Sequence, residues 1–435
     1  MAHKKVDQDV LKALETLRSL EAPPFILETA LSESLIPIAS ASLIRPRAKA
    51  LMQLFDIFSN FAEVRNEDLG LVMAALFDLL VGLDYIENYF QNRITKHNNT
   101  VDAFVCGKKL FITFVNVCPQ CLIENKGLVE AKGGHKPQSA HIGEASSQIL
   151  MFLLSLLISK RSNEPAVNAL VARKTSATID AVLLFPQKHR ILLGEIKASP
   201  LVTYPAMLSV PPTVEATILE RHHEKANVRV ENIKEVALVM QDGTALSLGH
   251  PPKGSNQSYL GWTYEHLASN LKSEHINVYI KNWKELYYMY KSGRTSREQP
   301  LKFFFTHGSG KPASDSKNAP GFDRTDDIKK ATYQLIKISA EHLLEGGTKQ
   351  ISVGVFSNLG PTKHFDAYLK DILNVALFKP SQYGLSITDY KTPRVFWRYL
   401  YDAILTFNYQ FFNDKVIEEI LGTFLKPSPR AKDDQ

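Results

Sequence analysis

Asp180, Glu195 and Lys197 are reactive residue types set in unusually apolar surroundings. Asp180 lies in Thr178-Ile179-Asp180-Ala181-Val182-Leu183-Leu184-Phe185. After the turn-like Pro186-Gln187-Lys188-His189, Glu195 and Lys197 lie in Ile191-Leu192-Leu193-Gly194-Glu195-Ile196-Lys197-Ala198. Both runs read as strands, and residues two apart on a strand project from the same face. Glu195 and Lys197 therefore share a face, and a hairpin brings Asp180 alongside Glu195. Two carboxylates and one lysine among aliphatic side chains are costly to desolvate unless a cation compensates them. Oxygen ligands with open coordination positions suit Mg²⁺, which keeps waters and phosphate oxygens in its shell. The plainer alternative is an edge-strand Glu/Lys pair beside a surface aspartate.

Those strands need a scaffold to hold them. Glu144 to Lys160 reads as a strong helix broken by Ser162-Asn163-Glu164-Pro165, and Ala169 to Arg173, Ala177 to Phe185 and Arg190 to Ala198 follow as short strands. A helix over Asp326 to Leu344, stopped at Gly346-Gly347, and a strand over Ile351 to Phe356 then supply the next two elements. That choice makes 200–320 an insertion; the other choice is Val214 to Ala226 with Val236 to Met240.

In this setting Asp180…Glu195-Ile196-Lys197 resembles the signature of the PD-(D/E)XK nuclease superfamily, the active site of most type II restriction endonucleases. Ile179 stands where the family's name has proline. The resemblance covers residues 144–198 directly. It implies an α/β fold with a restriction-endonuclease-like core, αβββαβ around a mixed central sheet, with an N-terminal helical region and a helical C-terminus. It also implies Mg²⁺ held by Asp180, Glu195 and the Ile196 carbonyl, Lys197 near the attacking water, and an acidic residue from the first helix, for which Glu144 is the candidate. The implied activity is sequence-specific hydrolysis of double-stranded DNA by a homodimer. A non-specific or repair nuclease of the same fold is one alternative, and a non-catalytic DNA-binding protein is another.

A second constellation precedes the helix. Cys118-Pro119-Gln120-Cys121 followed by His135 and His141 has the residue types of a tetrahedral zinc site, with Gly127, Gly133 and Gly134 letting the loop close. A structural Zn²⁺ there would stabilise a polar loop without a core of its own. Ordinary cysteines near a strand end, with histidines facing phosphates, are the competing reading. Lys132, His135, Lys136, Ser139 and His141 suit phosphate contacts at a helix N-terminus. Thr306-His307-Gly308-Ser309-Gly310-Lys311 lacks the spacing of a nucleotide-binding loop, and no G-x-S-x-G or H-E-x-x-H motif occurs.

The remaining chain predicts a helical region over 1–100, a nuclease core with loop and insertions over 101–360, and a helical, aromatic C-terminal region over 361–435. Helices are expected over Val6 to Leu20, Ala48 to Val64 and Leu69 to Ile94, and strands within Ala103 to Val117. Further strands are expected at Ile276 to Ile280 and Leu301 to Thr306, and a hairpin around Asp242-Gly243. Arg221-His222-His223-Glu224-Lys225 reads as a surface stretch of helix. With 435 residues, 44% hydrophobic and 22% charged, the chain is neither disordered nor collagen-like. Its formal charge of +6 is concentrated: residues 101–200 hold 12 Lys+Arg against 7 Asp+Glu, as a polyanion-binding surface would. Three cysteines cannot build a disulfide framework, and no signal segment shows, so a cytoplasmic protein is expected.

Overall fold

The computed structural model describes residues 7–96, 99–114, 117–124, 126, 129, 131, 139–162, 164, 166–173, 178–214, 223–253, 259–292, 319–344, 350–378 and 397–425. The chain forms two compact units, each assembled from separate stretches. The first takes Met1–Ile44, Ser147–Ala198 and Gly321–Gln435, and the second takes Arg45–Ser146 and Ser199–Pro320.

Helix α1 (Gln8–Ser19) is capped by the Asp7 side chain, which accepts from the Asp9 amide, and α2 (Pro24–Ser32) starts on a proline. After strand β1 (Ile36–Pro37), α3 (Ala48–Arg65) buries Leu51, Leu54, Phe55, Phe58 and Phe61 along one stripe and ends at Asn66, in the left-handed region at φ 53°. Helix α4 (Leu69–Lys96) follows. Then come β2 (Thr100–Cys106), β3 (Lys109–Ile112), α5 (Pro119–Ile123), α6 (Ser139–Arg161), β4 (Asn168–Val171), β5 (Ala181–Phe185) and β6 (Arg190–Ile196). Strands β7 (Ala206–Ser209), β8 (Glu224–Arg229), β9 (Glu235–Val239) and β10 (Ala245–Ser247) lead to α7 (Trp262–Asn270) and α8 (Ser273–Lys291). The chain continues as α9 (Thr325–Ile338), β11 (Ile351–Phe356), β12 (Ala376–Phe378), β13 (Trp397–Tyr399), β14 (Ala403–Leu405), β15 (Gln410–Phe412) and α10 (Lys415–Leu421). By length and composition α4 and α6 could each cross a membrane, but the most apolar stretch of α4 is entirely buried by the protein itself.

The first unit is mixed α/β. Its seven-stranded sheet runs β1-β4-β5-β6-β11-β14-β15, antiparallel from β4 to β6, parallel across β6, β11 and β14, and antiparallel again at β15. Strand β5 and almost all of β6 are buried, which is why both read as near-continuous apolar runs. Ile191 to Ile196 lie opposite Ile351 to Phe356, so β11 and not β9 extends the sheet beyond β6. The segment between β6 and α9 belongs to the second unit.

The second unit carries an antiparallel sheet in the order β10-β9-β7-β3-β2-β8. Its core helix α4 holds Asp78, fully buried, which accepts from the Leu201 and Val202 amides at 3.0 and 2.9 Å and from the Trp283 indole at 2.7 Å. Burial pushes that carboxyl up to about 8.

Several expected elements form otherwise. Ile276 to Ile280 is helix, because the pattern over the longer stretch has a helical period: Ile276, Tyr279, Ile280, Trp283, Leu286, Tyr287 and Tyr290 all turn inward from α8. Among the described residues, the C-terminal region expected as helix holds four short strands, β12 to β15, and short helical turns over 365–372; α10, capped by Asp414, is the one α-helix there. The expected helix over Val214 to Ala226 gives way to β8 from Glu224, and 215–222 lies outside the described residues, as does the strand expected at Leu301 to Thr306. Residues 1–100 are not helical throughout, since β1 pairs with β4.

Gly194, immediately before Glu195, is required by close approach: a Cβ there would lie 2.0 Å from the buried Phe356 ring. Gly194→Ala should lower unfolding stability by about 1–3 kcal/mol or more, the usual cost of overpacking a core. Gly143→Ala, in α6 with nothing within 4 Å of the new methyl, should leave stability unchanged or raise it by up to about 1 kcal/mol. Urea unfolding of both variants checks the contrast, and equal midpoints would contradict it.

Candidate metal-binding and catalytic site

The pairing of β5 with β6 sets the geometry. Ala181 lies opposite Gly194, so Asp180, one residue before β5, comes level with Glu195. The Ala172 amide donates to the Asp180 carbonyl at 2.9 Å, and the Ile196 amide donates to Asp180 Oδ2 at 2.9 Å. The Asp180 and Glu195 carboxyl groups act electrostatically on each other, and Lys197 donates its ammonium to Glu195 Oε1. The Lys197 backbone is fixed beyond the end of β6: its amide donates to the Phe356 carbonyl at 3.0 Å, and its carbonyl accepts from Ser357 Oγ at 2.6 Å. Structure thus brings together Asp180, Glu195 and Lys197.

The electrostatics follow from burial. Only 5% of Glu195 is exposed, and burial, with Asp180 beside it, pushes its carboxyl up to about 7 against the opposing pull of Lys197. Burial also raises Asp180, with Lys197 pulling it back. Burial alone would lower Lys197, but Glu195, Asp180 and Asp327 outweigh it and hold the ammonium charged. Two acids and one base therefore leave a surplus negative charge that, near neutral pH, a proton or a bound cation must balance.

Two further acids act on this group, and neither was expected. Glu33, at the C-terminal end of α2, accepts from the Thr178 amide at 3.1 Å, and its charge raises Asp180. Asp327, in the first turn of α9 and 3.4 Å from Arg324, supports the Lys197 charge. Asp326-Asp327 at a helix start is legible in sequence as favourable dipole placement, but nothing in the spacing ties it to Lys197. Glu144, the expected helix acid, groups with the second unit instead; one turn from His141, it favours that imidazolium.

The second constellation is assembled differently from the expected C-x2-C…H-x5-H set. Cys118 and Cys121 meet Cys106 and His223, and the four ligand atoms all lie within 4.8 Å of one another, a set that could hold a metal ion such as zinc. Cys121 Sγ is 3.7 Å from Cys106 Sγ and 3.2 Å from His223 Nε2. Burial pushes the Cys106 thiol up to about 11 and raises Cys118 as well. His141 is not a member: its Nε2 lies 2.7 Å from Asp84 Oδ2, and although burial lowers it, Asp84 and Glu144 raise it overall. His135, Lys132 and Lys136 lie outside the described residues, and Ser139 is the first residue of α6. Instead of lying on a surface helix, His223 precedes β8 in the left-handed region at φ 61°.

Comparison with protein-family models, with curated proteins and with solved structures finds no match to this chain.

A carboxyl raised to about 7 from an unfolded value near 4.5 favours the folded state fully below that lower value and loses the contribution as pH rises through 7. In chelator, the unfolding free energy of the wild type should therefore fall relative to Glu195→Gln between pH 5 and pH 8, by on the order of 2–3 kcal/mol. Parallel pH curves for the two proteins, followed by chemical denaturation, would contradict the assignment.

Proposed function

We propose that the chain is a Mg²⁺-dependent endonuclease that hydrolyses phosphodiester bonds of double-stranded DNA, of the type II restriction class. The observation that carries this reading is the assembled triad: Asp180 level with Glu195 across the β5–β6 pairing, with Lys197 paired to Glu195, at the end of a buried hairpin. The succession α6, β4, β5, β6, α9, β11 in one mixed sheet, in the αβββαβ order of the PD-(D/E)XK core, supports it.

The donor set fits Mg²⁺. Asp180 and Glu195 are hard oxygen ligands held largely out of water, and the single ammonium beside them leaves a charge that a divalent cation would balance. When bound, the ion supplies Lewis acidity that neutralises charge on the scissile phosphate and lowers the pKa of a coordinated water. The chain's own groups do the rest. The Ile196 amide fixes the Asp180 carboxylate, so that ligand is oriented before substrate arrives. Lys197, kept charged by its acidic neighbours and anchored through Ser357 and Phe356, orients the attacking water and stabilises the anionic transition state. Glu33 and Asp327 tune Asp180 and Lys197 respectively. Two copies of the chain on a two-fold symmetric target would cut both strands.

Incubation of plasmid DNA with the protein and Mg²⁺, resolved on a gel, tests this. Discrete fragments are expected, with Asp180→Ala and Lys197→Ala cutting at least about 100-fold more slowly while still retarding DNA. A smear would replace sequence-specific cleavage by non-specific cleavage. Undiminished cutting by either variant, or a mobility shift without cleavage by the wild type, would overturn the assignment.

A further inference from the structure

We propose that Cys106, Cys118, Cys121 and His223 form a closed, mononuclear Zn²⁺ site that pins the free edge of the second unit's sheet. The four ligands come from three remote places: the end of β2, the first turn around α5, and the residue before β8. A tetrahedral zinc ion with ordinary Zn–S and Zn–N bonds separates two thiolates by about 3.8 Å and a thiolate from an imidazole nitrogen by about 3.6 Å. The measured 3.7 Å between Cys106 and Cys121 and 3.2 Å between Cys121 and His223 are of that size. They are too close for a polynuclear cluster, whose bridging atoms push thiolates apart. They are also too far for a disulfide, whose sulfurs are about 2.05 Å apart. Soft thiolates with one imidazole select zinc over magnesium or calcium.

The surroundings suit a structural ion. All three cysteines are buried, among Phe104, Ala131 and Val129, and His223 supplies the fourth ligand position, as a structural site requires. The Cys121 amide donates to Cys118 Sγ at 3.4 Å, as backbone N–H groups do to metal-bound thiolates. His223 is oriented from two sides: its amide donates to the Val105 carbonyl at 2.9 Å, and its ring stacks on Phe104 at 6.0 Å. Among the described residues strand β8 is an edge strand, paired with β2 alone, and an edge strand held by one ladder is prone to fray or recruit other chains. A metal joining the residue before β8 to β2 and α5 would tie that edge into the unit.

Elemental analysis of the full chain, purified without chelator and exhaustively dialysed, should find about one equivalent of zinc. Cys106→Ser and His223→Ala should lose most of it, whereas His135→Ala should keep it. Cobalt replacement should give the visible bands of tetrahedral Co²⁺ with thiolate charge transfer, and the thiols should resist alkylation until a chelator is added. That wild-type pair of measurements decides the matter even if a variant fails to fold. The proposal is overturned by zinc-free protein with freely reacting thiols, by two missing thiols in the denatured chain, or by zinc content unchanged in both Cys106→Ser and His223→Ala. None of these readouts involves DNA cleavage, so the site stands or falls apart from the nuclease assignment.

Discussion

The neighbouring carboxyl groups of Asp180 and Glu195, held out of water beside the Lys197 ammonium, set the constraint on which the rest of this site depends. Bringing two acids together in a low-dielectric setting is unfavourable, and only a rigid frame keeps them from separating. That frame is the fully buried β5 strand and the β6 strand next to it, zipped to β11 through Ile191 to Ile196. Gly194 lets the Phe356 ring close over the strand one residue before Glu195, and Ser357 clamps the Lys197 carbonyl. Helices α2 and α9 each place an acid on this group, Glu33 toward Asp180 and Asp327 toward Lys197. The result is a preorganised site that lacks one positive charge.

In the second unit the same physics recurs with softer atoms. Burial holds the protons on the Cys106 and Cys118 thiols; a bound cation would reverse that preference and make them ligands. Elsewhere in that unit the buried Arg47 and Glu87 charges are satisfied by protein partners. Arg47 donates to Glu87 at 2.7 and 2.9 Å, and Glu87 also accepts from the Gly261 and Thr263 amides at 2.7 and 3.0 Å. The contrast separates a group that the fold completes by itself from the two clusters for which an ion is proposed.

How much was legible in the sequence depended on distance along the chain. The β5–β6 hairpin, its triad and helix α6 were readable because their signals are local: apolar strands, a short turn, a periodic helix. So was the choice of Ile351 to Phe356 as the strand beside β6, although more than a hundred residues intervene. The sheet's extension by β14 and β15 was not, since strands of three residues are too short to show a period. Cys118 and Cys121 stood out by spacing, but His223 lies 102 residues beyond Cys121 and is delivered by strand pairing that no local rule reaches. His141 was drawn to the wrong set for the same reason: its partner Asp84 is 57 positions upstream, on α4. Glu33 was invisible as a site residue because it follows a helix that looks purely structural.

The central proposal is that Asp180 and Glu195 together hold one divalent cation, which displaces a proton on binding. Titration of the full chain with Mn²⁺, followed by electron paramagnetic resonance of the free ion and by calorimetry in two buffers of different ionisation enthalpy, measures both halves at once. At neutral pH the account predicts one site per chain that releases protons on filling and is lost in Asp180→Asn and in Glu195→Gln. Binding that survives both substitutions, or no binding at that stoichiometry in the wild type, would contradict it.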